Sequence, residues 1–232
     1  MVSEGILLVN KPRGNTSFSI VAALRRLLGV ATIGHTGTLD PFATGLLVIL
    51  IGRKYTRLSQ QLLNGDKSYS AQLLLGVDTE TYDCDGKVTG RSSHQPPLQQ
   101  VEEALTHFQG DVEQIPPMFS AKKIQGRRLY QLARQGITVE RQPQKVSLAT
   151  ELVHYGYPEM QLTVRCSKGT YIRSIAHDLG RRLGCGAHLT ALMRLTCGSF
   201  SLHQALDGEL LFHPGAVTHS LLADSLVLMP SL

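Results

Sequence analysis

The chain has 232 residues, 42% of them hydrophobic, and a net charge of +5, a size that suits one large domain or one domain with a small appendage. Glu4 stands in "MVSEGILLVN" where a secretory signal would need positive charge. The longest apolar run, Leu46 to Ile51, falls far short of the roughly 20 residues of a membrane span, so a soluble, cytoplasmic protein is expected.

In chain order, "ILLVN" reads as a short buried strand and "KPRG" as a turn. "SFSIVAALRRLL" has apolar residues at helical spacing, with Ser17 as its expected N-cap and Gly29 as its stop. A glycine- and threonine-rich loop, "GHTGTLDPFATG" (Gly34 to Gly45), follows. "GLLVILIG" is too short and too uniformly apolar to assign by periodicity. "RKYTRLSQQLLNG" reads as one helix, and "KSYSAQLLLG" as a strand with Tyr69, Ala71 and Leu73 on one face. "DTETYDCDGKVTG" is a turn-rich connection. "PPLQQVEEALTHFQG" predicts an amphipathic helix opened by proline and closed by Gly110. From Pro116 to Lys145 the chain turns basic and is broken by Pro and Gly, with one short helix at "RRLYQLARQG". "KVSLATELVHY" and "MQLTVRCS" read as paired strands, "GTYIRSIAHDLGRRLG" as a helix, and "HLTALMRLTCG" as a return to the core. The tail from Leu206 predicts about two short helical pieces. Strands and helices alternate without the spacing of repeated βαβ units, which favours a mixed α+β sheet flanked by helices.

The four cysteines, Cys84, Cys166, Cys185 and Cys197, form no C-x-x-C pair and read as reduced, mostly buried thiols. Charge is unevenly spread. Asp78 to Glu113 holds eight acidic residues against Lys87 and Arg91, whereas Lys122 to Lys145 holds seven basic residues against Glu140. A second basic run includes Arg165, Lys168, Arg173, Arg181, Arg182 and Arg194. Two such stretches suggest a polyanion-binding face, although charge alone fits solvated helix faces equally well. No phosphate loop, dinucleotide fingerprint, H-E-x-x-H or G-x-S-x-G is present. "DCDG" has Thr81 and Ser92 where calcium ligands belong, and reads as a turn.

Three features remain: the Asp40 loop, Tyr69 in "GDKSYSAQLLLG", and "CSKGTYIRSIAHDLGRRLGCGAHLTALMRL". With "GILLVNKPRGNTS" and "IPPMFSAKKIQGRRLYQLAR" they run in the order of one known family. The sequence closely resembles the TruB family of tRNA pseudouridine synthases over roughly its first 200 residues.

The resemblance implies a pseudouridine-synthase fold with a mixed, mostly antiparallel sheet flanked by helices. It implies a catalytic domain over residues 1–205, a basic thumb-like insertion at 116–145 that clamps RNA, and a short tail at 206–232. That tail is too short for the PUA-type RNA-binding domain that many members carry, so no full domain of that type is expected. The implied activity is isomerisation of the T-loop uridine, position 55, to pseudouridine by base flipping. The implied partner is the tRNA T-arm, with no membrane and no obligatory protein partner; no metal and no organic cofactor is expected. A T-loop-binding folding chaperone without turnover is the alternative. A third reading is the related RNA-guided enzyme that works in a complex on ribosomal RNA; those relatives also carry the C-terminal RNA-binding domain that is not expected here.

By loop chemistry alone Asp40 reads as a cap for "PFATGLL"; the family pattern makes it the catalytic carboxylate, nucleophile or base at the ribose. Arg173 is carried over as its ion-pair partner, with a phosphate contact as the other reading. Tyr69 is carried over as the residue that stacks on the target uracil, with a core tyrosine as the other reading. Tyr171 and Leu192 match positions lining the same pocket, and His35 the residue that enters the space left by the flipped nucleotide. Lys11 and Pro12 fall in the first motif and are expected to support the active-site loop. Lys122, Lys123, Arg127 and Arg128 are the candidate phosphate contacts.

Overall fold

The computed structural model describes residues 2–124, 126–213 and 215–227. Gln125 of the basic insertion, and Pro214 and residues 228–232 of the expected tail, lie outside them. The elements begin with β1 (Gly5–Lys11), α1 (Ser17–Leu28), β2 (Ile33–Thr36), β3 (Thr44–Ile51), α2 (Gly52–Thr56) and α3 (Ser59–Leu63). Next come β4 (Lys67–Leu75), β5 (Val77–Thr79), β6 (Val88–Arg91), α4 (Leu98–Leu105) and β7 (Gln109–Gln114). The basic insertion supplies β8 (Lys123–Ile124), β9 (Arg127–Arg128) and α5 (Leu129–Ala133). They are followed by β10 (Gln144–Gly156), β11 (Glu159–Cys166), α6 (Ile172–Arg182) and β12 (Ala187–Cys197). The chain closes with β13 (Phe200–Ser201), β14 (Leu206–Asp207), α7 (His219–Asp224) and β15 (Leu226–Val227). Strand pairing is mixed but mostly antiparallel, and the fold class is α+β, as the sequence led us to expect.

The chain forms two compact units, Met1–Tyr69 with Leu192–Leu232, and Ser70–Ala191. In the first, β3 pairs antiparallel with β1 along its whole length, from Gly5↔Ile51 to Lys11↔Gly45. Its other edge is shared: β2 takes Val48 to Ile51, and β12 runs parallel at Thr44 and Gly45. Both faces of these strands are covered. Leu7, Val9, Leu47, Ile49 and Ile51 pack on Ile20, Val21, Leu24 and Leu28 of α1, whereas Ile6, Leu8, Leu46, Val48 and Leu50 pack with Cys197 and Phe200. A strand buried on both faces needs no polar alternation, which is why "GLLVILIG" had no readable period. Each such side chain contributes about 1.5–3 kcal/mol by leaving water. The tail is held to the same unit, with Leu206–Asp207 pairing parallel and Leu226–Val227 antiparallel to β1.

In the second unit β11 pairs antiparallel with β10, and β10 with β7. On β4, Ala71 and Leu73 of this unit and Tyr69, the last residue of the first unit's opening segment, are all buried, the face their alternation indicated.

Several boundaries differ from the sequence reading. The N-cap of α1 is Thr16, whose hydroxyl accepts from the Ser19 N–H at 3.0 Å, and Ser17 is inside the helix. Gly29 does end it, in the left-handed region at φ 67°. "RKYTRLSQQLLNG" breaks into α2 and α3 because the Leu58 N–H turns tightly back to the Tyr55 carbonyl at 3.0 Å. The helix expected to reach Gly110 stops at Leu105, and a 3₁₀ turn over Thr106–Phe108 leads into β7, where ladder bonds to β10 claim Gln109 and Gly110. The helix expected from Gly169 begins at Ile172, because Tyr171 is extended.

Gly45 pairs with Arg194 in so close a parallel register that an added Cβ would lie 2.4 Å from the Arg194 carbonyl oxygen, and its φ is +98°. Both backbones are fixed by pairing, so neither can yield. Gly45→Ala is expected to cost about 3 kcal/mol or more, visible as a lowered midpoint in urea denaturation.

Candidate functional site

The loop carrying Asp40 leaves β2 at Thr36 and enters β3 at Thr44. In that interval its peptide groups have no strand to pair with. Side chains and local backbone turns satisfy several of them instead. Buried Ser17 accepts from the Leu39 N–H at 2.9 Å and its hydroxyl donates to the Leu39 carbonyl at 3.2 Å. The Gly14 N–H donates to the Pro41 carbonyl at 2.8 Å, and the Ala43 N–H to that of Asp40 at 3.1 Å. Asp40 is thus fixed on both sides, and its side chain is half-buried.

Lys11, at the end of β1, is fully buried. Its Nζ donates to the carbonyls of Pro12 at 2.8 Å, Asn15 at 2.7 Å and Pro41 at 3.4 Å. Burial pushes its pKa down to about 8; the negative charge of Asp40 opposes that shift and the Arg194 guanidinium adds to it. The support expected of the first motif is therefore a three-pronged ammonium clamp. Arg194, on β12, is also buried, at 1% exposure. Its Nε donates to Leu46 at 2.7 Å and its Nη2 to Gly37 at 3.1 Å, holding both ends of the Asp40 loop. The Leu46 carbonyl falls between the part of β3 paired with β12 and the part paired with β2, where a side chain takes the place of a strand partner. Sequence reasoning counted Arg194 among the basic stretches and missed this role. A lone cation inside the apolar "HLTALMRLTC" was the available signal.

His35, on β2, is half-buried, and its Nδ1 is enclosed without a hydrogen-bond partner. Burial first, and then Arg194, hold its pKa below 6.5, so its ring is neutral at pH 7. Tyr69 and Leu192 are both buried, at 7% and 6% exposure, and the Leu192 carbonyl lies 3.5 Å from the Thr44 hydroxyl.

In the second unit Arg173 sits in the first turn of α6, 5% exposed. Its Nε makes an ion pair with Asp83 at 3.5 Å, and Nη1 and Nη2 donate to the carbonyls of Thr81 at 2.9 Å and Phe119 at 2.8 Å. Asp83 was not singled out from the sequence. It sits in a turn that it also braces: Oδ1 accepts from the Thr81 hydroxyl at 2.6 Å and the Asp85 N–H at 3.1 Å. The turn "DCDG" is thus a socket for an arginine. Gly86 is required in it, since a Cβ there would lie 2.2 Å from the Thr81 hydroxyl. Tyr82, at φ 64°, stacks on His177 of α6 with centroids 3.9 Å apart. Tyr171 is held by one side chain, Gln114, which donates to its carbonyl at 3.0 Å and accepts from its N–H at 2.7 Å. That clamp keeps Tyr171 extended and fixes where α6 begins.

Of the expected phosphate contacts, Lys123, Arg127 and Arg128 are exposed on the β8–β9 hairpin. Lys122 is half-buried and donates to Gln144 at 3.1 Å. Arg128 and Arg134 lie 6.0 and 5.5 Å from the ring centroid of Tyr130. Among the described residues there is no cluster of His, Cys, Asp or Glu that could hold a metal ion, and no helix long and apolar enough to cross a membrane.

Comparison with known proteins bears on these positions. The family model described as "TruB family pseudouridylate synthase (N terminal domain)" matches residues 25–172, and that of the "tRNA pseudouridylate synthase B C-terminal domain" matches residues 173–212. The chain is 61% identical to tRNA pseudouridine synthase B of Protochlamydia amoebophila over 205 residues, 88% of this chain and 78% of that protein. It is 55% identical to the protein of the same name in Chlamydia muridarum over 230 residues, 98% of this chain and 95% of that one. Among solved structures, a chain of a Cbf5-Nop10-Gar1 complex is similar with a TM-score of 0.70 and 27% identity, over 90% of this chain and 54% of that one. The chain thus spans about half the length of that structural relative.

The Lys11 clamp has a pH signature. The buried ammonium is protonated below about pH 8, whereas the unfolded chain holds that proton up to 10.5. Between those values the unfolded state binds more protons, so this group favours folding increasingly as pH rises. Wild type should gain up to about 3 kcal/mol relative to Lys11→Met across that window. Denaturation curves of both proteins from pH 7 to 10.5 measure the difference.

Proposed function

Because the chain belongs to the TruB family of pseudouridylate synthases, we propose that it isomerises the T-loop uridine of tRNA, position 55, to pseudouridine. At the coarser level the family makes it an isomerase that forms pseudouridine in tRNA. The observation that carries the aspartate-dependent mechanism is the half-buried Asp40 on a backbone that Ser17 and Lys11 immobilise on either side.

The reaction breaks the bond from uracil N1 to ribose C1′, turns the base, and joins C5 to C1′; the hydrogen on C5 leaves to solvent and N1 ends protonated. Asp40 acts at the ribose, as nucleophile or as base. A loop held in this way brings an oxygen to the sugar without reorganisation, and positioning of that kind is worth several kcal/mol of the barrier. Arg173 is the catalytic cation of this reading, its guanidinium held in place by Asp83. Tyr69 stacks on the target uracil, compensating the few kcal/mol needed to extract it. Neutral His35 enters the space left by the flipped nucleotide without adding charge there. Tyr171 and Leu192 are further uracil-binding residues in this reading. Residues 1–205 form the catalytic domain, and the 116–145 insertion clamps the T-arm through Lys122, Lys123, Arg127 and Arg128, with the arm read mainly by shape.

Two outcomes are expected. Asp40→Asn should reduce tritium release from 5-labelled uridine in unmodified tRNA to background while leaving tRNA affinity close to wild type; undiminished release removes the mechanism. Alanine at Lys123, Arg127 or Arg128 should weaken binding and lower the slope of log affinity against log salt by about 0.7–0.9 per cation removed, measured by filter binding over a salt series.

A further inference from the structure

Phe18 is the residue of the first unit that the chemistry at Asp40 leaves unexplained. Its side chain is 65% exposed, more than that of any other large hydrophobic residue among those described. It follows Ser17, the residue that bolts Leu39 in place, in the first turn of α1. Two helical turns on, Arg25 places its guanidinium carbon 5.9 Å from the ring centroid. That guanidinium is itself fixed, with Nη2 donating to the Ile33 carbonyl at 2.8 Å, at the start of the strand that carries His35. The ring is thus oriented by a cation and exposed to solvent.

The surroundings indicate what it meets. Residues 1–69 hold eight lysines and arginines against three acidic residues, Glu4, Asp40 and Asp66. Arg26 on α1, and Arg53 and Lys54 on α2, are exposed. The two helices flank β2: Arg25 reaches Ile33, and a Cβ on Gly34 would lie 3.6 Å from the Thr56 methyl. A single ring among cations is not the contiguous apolar patch that a protein partner would need. It suits a flat, uncharged ring carried on a polyanion.

We propose that Phe18, supported by Arg25, is a stacking platform for an unpaired nucleobase of the substrate RNA other than the target uridine, with Arg26, Arg53 and Lys54 receiving the neighbouring phosphates. This extends the RNA reading of the Asp40 site and rests on it.

Affinity for unmodified tRNA is measured in an Asp40→Asn background, so that turnover plays no part. Phe18→Ala should weaken binding about 5- to 140-fold, the range that base stacking on an aromatic side chain supplies. Phe18→Trp should restore it, and neither should change the melting temperature, because the ring is exposed. A photo-crosslinking benzoylphenylalanine at position 18 should label one unpaired nucleotide outside the target position. Affinity of Phe18→Ala within twofold of its parent, or labelling of the target uridine alone, overturns the platform and leaves the Asp40 reading intact. A parent that fails to bind tRNA overturns that reading, and the platform with it.

Discussion

A backbone segment that leaves one strand and enters another in the middle of a buried sheet has to find partners for its peptide groups, because unpaired ones cost a few kcal/mol each. Between Gly37 and Leu46 several of those partners are side chains. Ser17 serves Leu39, Lys11 serves Pro41, and Arg194 serves Gly37 and Leu46. Two buried cations are a costly choice for a core, tolerable only because each donates to several carbonyls. Their effect is to fix the backbone on either side of Asp40, and the proposed chemistry depends on that.

The second unit solves a related problem in another way. Arg173 is buried at the start of a helix, where a cation gains nothing from the helix dipole. It is held by a carboxylate, Asp83, and by two carbonyls from separate segments, Thr81 and Phe119. The start of α6 is set in turn by Gln114, which occupies both backbone groups of Tyr171. Arg173 is therefore placed by contacts from two stretches of chain far from it in sequence, the 81–83 turn and Phe119.

Much of the architecture was legible. Periodicity found α1 and its glycine stop, the buried face of β4 and the β10–β11 pair, because in each case one face meets the core and the other meets water. Legibility failed where that contrast disappears. "GLLVILIG" is covered on both faces, and the break between α2 and α3 is a local tightening that leaves no compositional mark. Thr16 and Ser17 are both acceptable caps by chemistry; the choice fell to Thr16 because Leu39, 22 residues on from Ser17, needed the serine. Asp40, Tyr69 and Arg173 are proposed through their motifs, whereas the structural roles of Arg194 and Asp83 were passed over, because they lie in the carbonyl or guanidinium each meets.

The order of motifs in the sequence by itself determined the family, and with it the class of reaction, since such motifs record which residue types the chemistry needs. The alternation of apolar and polar residues determined most of the strands and helices. Only the tertiary structure decided which cations would be buried and what each would hold. Hydrogen bonds from Lys11, Arg194 and Arg173 reach across as many as 157 positions of sequence, and a contact of that range leaves no local pattern from which it could be read.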